Sequence, residues 1–198
     1  MRFYNDAKSI VDYLDQIAAW PYRNFIATIV DIDEENMTVE TDLFDKSTLV
    51  AYAKKNCNIR PTDEEMKLFS EYQGGEQGNY SSWMDKKIRI IAECLTEFPN
   101  SKRAVISTGG TFHHSDTDNA KCLREMHFYL NQDMSGKYRL NCTGIFRAQA
   151  VDIMPKNFYF VWFVMNQIKE KLLEKSELPI ELGDYTHFVT TLVKTRND

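Results

Sequence analysis

The sequence predicts a single α+β domain, and three observations carry that expectation. Stripes with apolar residues every three to four positions occur beside runs that alternate apolar and polar. No repeat, low-complexity tract or Pro/Gly-rich linker divides the chain. Its 198 residues suffice for one sizeable core.

Residues 6–20 place Ile10, Val11, Leu14, Ile17 and Ala18 on one helical stripe. Residues 25–32 read as a strand, 33–36 as a turn, and 37–44 alternate as a second strand. Helices are expected over 47–55 and 62–72, the latter opened by Thr62 and Glu65 at capping-box spacing. Residues 73–79, Gln-Gly-Gly-Glu-Gln-Gly-Asn, form the one clear loop cluster. An amphipathic helix over 82–98 is expected to turn Ile88, Ile90, Ile91, Cys94 and Leu95 inward. Strands follow at 103–107, 125–130 and 138–147. The helix expected over 156–175 is apolar on every side in its first half, so that half is expected to be buried. Residues 185–194 close the chain as a strand.

Charge and cysteine usage narrow the class. A formal net charge of -5 argues against a binder of nucleic-acid polymers, which needs a basic face. It leaves room for one nucleotide, because a few arginines suffice for a single phosphate. The longest apolar run, 158–165, is too short to span a bilayer. Cys57, Cys94, Cys122 and Cys142 form no CxxC pair, and the first residues carry no apolar signal segment. The expected setting is reduced and cytoplasmic.

The residues that can carry chemistry cluster in the second half. Cys122 opens a strand with Arg124 beside it and Arg103 upstream. A working thiolate needs positive charge nearby, whereas a cysteine at a strand start is otherwise a small buried hydrophobe. Lys102 and Arg103 read either as anion ligands or as a solvated basic turn. Arg147 ends a strand, and Pro155 precedes Asn157 at a helix start. Asn157 is either a helix cap or a carboxamide that reads a base edge. His113, His114, Asp116 and Asp118 could bind a metal, but adjacent histidines on an extended segment point to opposite sides.

The stretches Lys102-Arg103, Lys121-Cys122-Leu123-Arg124, Arg147-Ala148-Gln149-Ala150 and Pro155-Lys156-Asn157 together resemble the thymidylate synthase and pyrimidine nucleotide hydroxymethylase family over about residues 80–191. The resemblance implies a mixed sheet packed against helices and against a partner's sheet. Cys122 is then the nucleophile and Arg147 a phosphate ligand from the same subunit. Lys102 and Arg103 reach the phosphate of the other subunit in a homodimer, and Asn157 reads a uracil edge. His127 stands where the family usually has a glutamine, and lines the pocket or packs in the sheet. His187 falls at the ribose-binding histidine in one alignment. In the other, Val193 and Thr195 take the ribose-binding positions.

Ala148 and Ala150 replace the serine and aspartate of the family's Arg-Ser-x-Asp, leaving Asp152 as a substitute carboxylate or a mere loop residue. The implied activity is transfer of a methyl or hydroxymethyl unit from methylenetetrahydrofolate to C5 of a pyrimidine nucleoside monophosphate, dUMP by preference. The alternative is a nucleotide-binding protein of the same fold with lost or altered catalysis.

Overall fold

The computed structural model describes residues 2–68, 78–109, 121–176 and 179–195. Within them the chain forms one six-stranded mixed sheet and five α-helices. The strands are β1 (Arg2–Tyr4), β2 (Tyr22–Ile29), β3 (Val105–Ser107), β4 (Leu123–Gln132), β5 (Tyr138–Ala150) and β6 (Ile180–Val193). The helices are α1 (Ala7–Asp15), α2 (Lys46–Asn56), α3 (Asp63–Lys67), α4 (Met84–Glu97) and α5 (Met154–Lys175). The sheet order is β1-β2-β6-β5-β4-β3.

β1 pairs parallel with β2 and β5 parallel with β6, and the other neighbours are antiparallel. The β5–β6 pair is parallel because α5 supplies the crossover that a parallel connection needs. α5 packs on β5 and β6 and also touches α2 and α4. It is therefore enclosed: from Met154 to Met165 every residue except Phe163 is buried. The all-round apolar reading of this half-helix is borne out.

Local chemistry explains the element ends. Asp6 caps α1, its Oδ1 accepting from Ser9 N at 2.6 Å. At α3, Thr62 Oγ1 accepts from Glu65 N at 3.1 Å and Glu65 Oε2 accepts from Thr62 N at 2.8 Å. The capping box expected from sequence is present.

Residues 37–44 correct the reading. They form no strand, only an isolated bridge between Thr41 and Phe44. Met37, Val39 and Phe44 are buried in the core. The polar residues between them bond locally: Thr38 Oγ1 donates to Glu34 O at 2.6 Å, and Glu40 Oε2 accepts from Lys46 N at 2.9 Å. Residues 40–43, Leu43 among them, are exposed, so an anchored loop buries three apolar side chains without a strand's alternation. The three-residue edge strand β1 is too short to show a period and escaped the sequence reading. Most of the Gly-rich cluster at 73–79, the end of the 62–72 helix and the whole of 111–118 fall outside the described residues.

One sheet face carries the helices and holds Met126, Phe128, Ala27, Ile29, Cys142 and Tyr185. On the other, the ladder aligns Ile26 with Phe188, Phe188 with Ile145, and Ile145 with Glu125. Ile26 and Tyr129 are exposed, and Phe188 and Ile145 are half-buried.

Candidate functional site

Cys122 sits immediately before β4, at the point where the ladder with β5 shifts register between Leu123 and Glu125. Two hydrogen bonds tie the Lys121–Cys122 backbone to Arg147. Arg147 N donates to Cys122 O at 2.9 Å, and Arg147 Nε donates to Lys121 O at 3.1 Å. The second holds an exposed guanidinium beside the thiol's own segment. A guanidinium is the side chain whose planar fork of N–H donors best matches an anion's oxygens.

A buried phenol supports this corner from below. Tyr80 Oη accepts from Leu123 N at 3.3 Å, and its ring stacks on Phe160 at 5.4 Å between centroids. Tyr80 N donates to Asn56 Oδ1 at 2.5 Å, which ties the segment to the end of α2. Tyr52, also buried, donates through Oη to Gly78 O at 2.7 Å and meets Phe160 edge-on. Burial raises the pKa of both phenols, and a negative charge on Cys122 would raise them further. Both therefore stay protonated.

Lys156 lies within the same cluster. It is almost wholly buried, with Nζ 5.1 Å from the Tyr52 ring centroid and 5.9 Å from that of Phe44. Gly78 makes this approach possible, because a Cβ there would stand 3.2 Å from Tyr52 Oη and 3.3 Å from Lys156 Nζ.

The corner where β5 turns into α5 holds a second polar cluster. His187 is fully buried between the rings of Phe146 at 4.6 Å and Phe158 at 4.9 Å. Its Nδ1 lies 2.6 Å from Tyr185 Oη and its Nε2 2.6 Å from Gln149 Oε1. Phe146 pairs with Leu123 across the ladder, so this cluster backs onto the Cys122 strand start. Asn157, in the first turn of α5, is buried, and its Oδ1 has no hydrogen-bond partner among the described residues. The Nε2 of Gln149 is equally buried and equally without one.

Burial lowers the His187 pKa from 6.5 to about 3. The unfolded chain therefore takes up this proton first as the pH falls. The stability that neutral His187 contributes is present above pH 6.5 and is lost progressively between 6.5 and 3. Denaturant midpoints of the wild type should fall over that interval, by up to about 1.4 kcal/mol per pH unit from this group. His187→Gln should flatten the dependence. An unchanged slope in the variant would show that other groups govern it.

The structure therefore brings Cys122 and Arg147 together, and it places Asn157 and His187 in the adjoining corner. His127 lies elsewhere: its Nε2 is 2.7 Å from Glu125 Oε2, and both are half-exposed on the sheet face away from the helices. Arg103 and Lys102 lie in the α4–β3 connection, at the end of β3 remote from Cys122. They line an open groove of about 880 Å³ with Ile90, Cys94 and Phe98. Ile90, expected to face the core, is exposed there instead, because Ile88 and Ile91 define the buried stripe of α4 and Ile90 lies off it.

Asp152 occupies a short 3-10 turn, Val151–Ile153, and one of its carboxylate oxygens is shielded from solvent. No disulfide joins the four cysteines. Among the described residues no group of three or more His, Cys, Asp and Glu could hold a metal ion. Nor is any helix among them long and apolar enough to cross a membrane.

Tyr52, Tyr80, Lys156 and Gln149 were missed by the sequence reading. Lys156 left a signal, since it is a lone cation in the apolar run after Pro155. The others left none, because tyrosine and glutamine are common in cores and strands. No protein-family model matches the chain, and no curated protein matches it.

Proposed function

We propose that this protein binds a pyrimidine nucleoside monophosphate and transfers a one-carbon unit to C5 of the base through Cys122. The observation that carries the reading is the pairing of Arg147 with the Lys121–Cys122 segment by two hydrogen bonds, one to each carbonyl, with the unpartnered oxygen of Asn157 buried in the adjoining corner. Arg147 takes the phosphate. Asn157 Oδ1 accepts from uracil N3–H, which favours dUMP.

The Cys122 thiolate adds to C6, and the C5–C6 π pair moves to make C5 nucleophilic, with charge delocalised onto O4. C5 then attacks the one-carbon electrophile and loses its proton, and the donor's amine leaves with the C–N bonding pair as an exocyclic methylene forms. A hydride from the reduced donor, which is oxidised in turn, would make that methylene a methyl group, and water would make it hydroxymethyl; the Cys122–C6 bond then breaks as the C5–C6 double bond re-forms.

The resemblance implies methylenetetrahydrofolate as the donor, but the residues here fit a folate less well than a nucleotide. Ala148 and Ala150 offer no polar group, and the Asp152 carboxylate is partly turned from solvent. These losses favour a second reading, a nucleotide-binding protein with little turnover or with a different electrophile.

A homodimer completes the proposal. Arg103 precedes β3 at the end remote from Cys122, as expected of a residue that reaches a partner's phosphate rather than that of its own chain. The row Ile26, Phe188, Ile145 on the open sheet face offers apolar area to a partner's sheet.

Calorimetric titration with dUMP and dCMP tests the nucleotide reading. Wild-type protein should bind dUMP more tightly. Asn157→Asp should shift the preference toward dCMP by about tenfold or more, the cost of one mismatched buried hydrogen bond. Tighter binding of dCMP by the wild type would sink the assignment of Asn157.

A further inference from the structure

The polar chain in the β5–α5 corner has a direction, and the direction follows from counting hydrogens. Tyr185 is fully buried, and His187 Nδ1 is its hydroxyl's one hydrogen-bond partner among the described residues. If Nδ1 carried the proton, the Tyr185 hydroxyl would accept it and its own hydrogen would have nowhere to go. A stranded buried donor costs about 1–3 kcal/mol. The hydroxyl therefore donates to Nδ1. Neutral His187 must then carry its proton on Nε2, which donates to Gln149 Oε1. That fixes the Gln149 amide, with its oxygen consumed and both hydrogens of Nε2 pointing away, buried and unpartnered. The crowding around Tyr185 holds the start of the chain, since a Cβ on Gly144 would come within 2.6 Å of the hydroxyl.

The corner therefore contains one unpartnered donor group and one unpartnered acceptor, on residues separated in sequence only by the 3-10 turn and the first turn of α5. His187, which Gln149 holds, packs on Phe158, the residue after Asn157. Two buried groups of complementary type left open at one corner ask for a ligand that carries both an acceptor and a donor.

We propose that Gln149 is a second base-reading residue. Its Nε2 donates to a ring carbonyl of the bound pyrimidine while Asn157 Oδ1 accepts from the neighbouring N3–H. Tyr185 and His187 are positioning residues that hold the Gln149 amide in the donating orientation. This inference rests on the nucleotide reading above. Uracil suits the pair, because its edge runs acceptor, donor, acceptor, so that Gln149 finds a carbonyl on whichever side of N3–H it lies. Cytosine runs donor, acceptor, acceptor, and satisfies the pair only if the ring slides by one position.

The test uses full-length wild type, Gln149→Leu and Tyr185→Phe, titrated with dUMP, dCMP and 2-deoxyribose 5-phosphate, which carries the phosphate without a base. Gln149→Leu should lose about 10- to 100-fold in dUMP affinity, the effect of one hydrogen bond from a buried group. Its affinity for deoxyribose phosphate should not change. Tyr185→Phe should discriminate less between dUMP and dCMP, because the histidine tautomer and the amide become free to reverse. Nitrogen-15 shifts of the wild type should show His187 protonated on Nε2, a readout independent of any variant's folding.

Unchanged dUMP affinity in Gln149→Leu, or equal loss for both ligands, would overturn the inference, as would a proton on Nδ1. If wild type binds dUMP while any of these holds, the base-reading role alone falls. If wild type binds dUMP no better than deoxyribose phosphate, the nucleotide reading falls and takes this inference with it.

Discussion

Cys122→Ala is expected to remove turnover while leaving nucleotide affinity within about tenfold of wild type. The thiol's part in the proposed reaction is to form and later break one bond to C6, and among the described residues the neighbouring phenols and the buried thiols are poorly suited to replace it. Tyr80 and Tyr52 are held protonated by burial. Cys142 is buried in the sheet, where burial raises its pKa well above the ordinary thiol value. Cys57 is likewise buried and raised. Nucleophile removal of this kind costs about four to six orders of magnitude in kcat where covalent addition is obligatory. Binding should survive, because the proposal assigns it to Arg147 and Asn157.

The direct measurement is intact-mass spectrometry after incubation with 5-fluoro-dUMP and methylenetetrahydrofolate. A covalent adduct should map to Cys122. An adduct on Cys94, which is half-buried in the α4 groove and bonds to Ser101 Oγ at 3.3 Å, would move the chemistry elsewhere. The same variant tests the dimer. Mixed with Arg103→Ala it should regain part of the activity, since one of the two sites in a hybrid dimer has both residues intact.

The parts of this molecule that could be read from sequence are those in which local chemistry and tertiary packing agree. The capping box at Thr62, the amphipathic α4 and the enclosed first half of α5 are of this kind. The loop 37–44 misled because the burial of Met37, Val39 and Phe44 is imposed by the core they plug, not by a ladder. Within the site, the neighbourhood of Cys122 and Arg147 could be inferred from the order of the motifs. The supporting layer could not. Tyr80 and Lys156 become relevant only when α2, α4 and α5 converge, and the direction of the Tyr185–His187–Gln149 chain depends on hydrogens that no spacing reveals.

Phe160→Ala is expected to have the largest effect on stability among single changes near the site, about 3–5 kcal/mol. Phe160 is fully buried in the enclosed half of α5. Its ring is the common contact of the two phenols, stacked on Tyr80 and edge-on to Tyr52 at 6.2 Å. Truncation to alanine loses the transfer energy of the ring, leaves a cavity between three helices, and removes both aromatic pairings, each worth about 0.5–1.5 kcal/mol beyond area.

The loss should reach the site as well. Tyr80 Oη is the acceptor for Leu123 N, one residue from the thiol. A Tyr80 ring without its stacking partner no longer fixes the start of β4. Chemical denaturation should show the lower midpoint. Nucleotide titration of the still-folded fraction should show weaker binding, because Arg147 hangs from the same segment through Lys121 O. Tyr80→Phe separates the two effects, since it keeps the stack and drops only a 3.3 Å hydrogen bond. It should cost about 1–3 kcal/mol of stability, less than the loss of the ring, because it leaves Leu123 N a buried donor. A Phe160→Ala protein as stable as wild type would mean that the three helices close over the gap. The stack on Tyr80 would then not be what holds Cys122 in place.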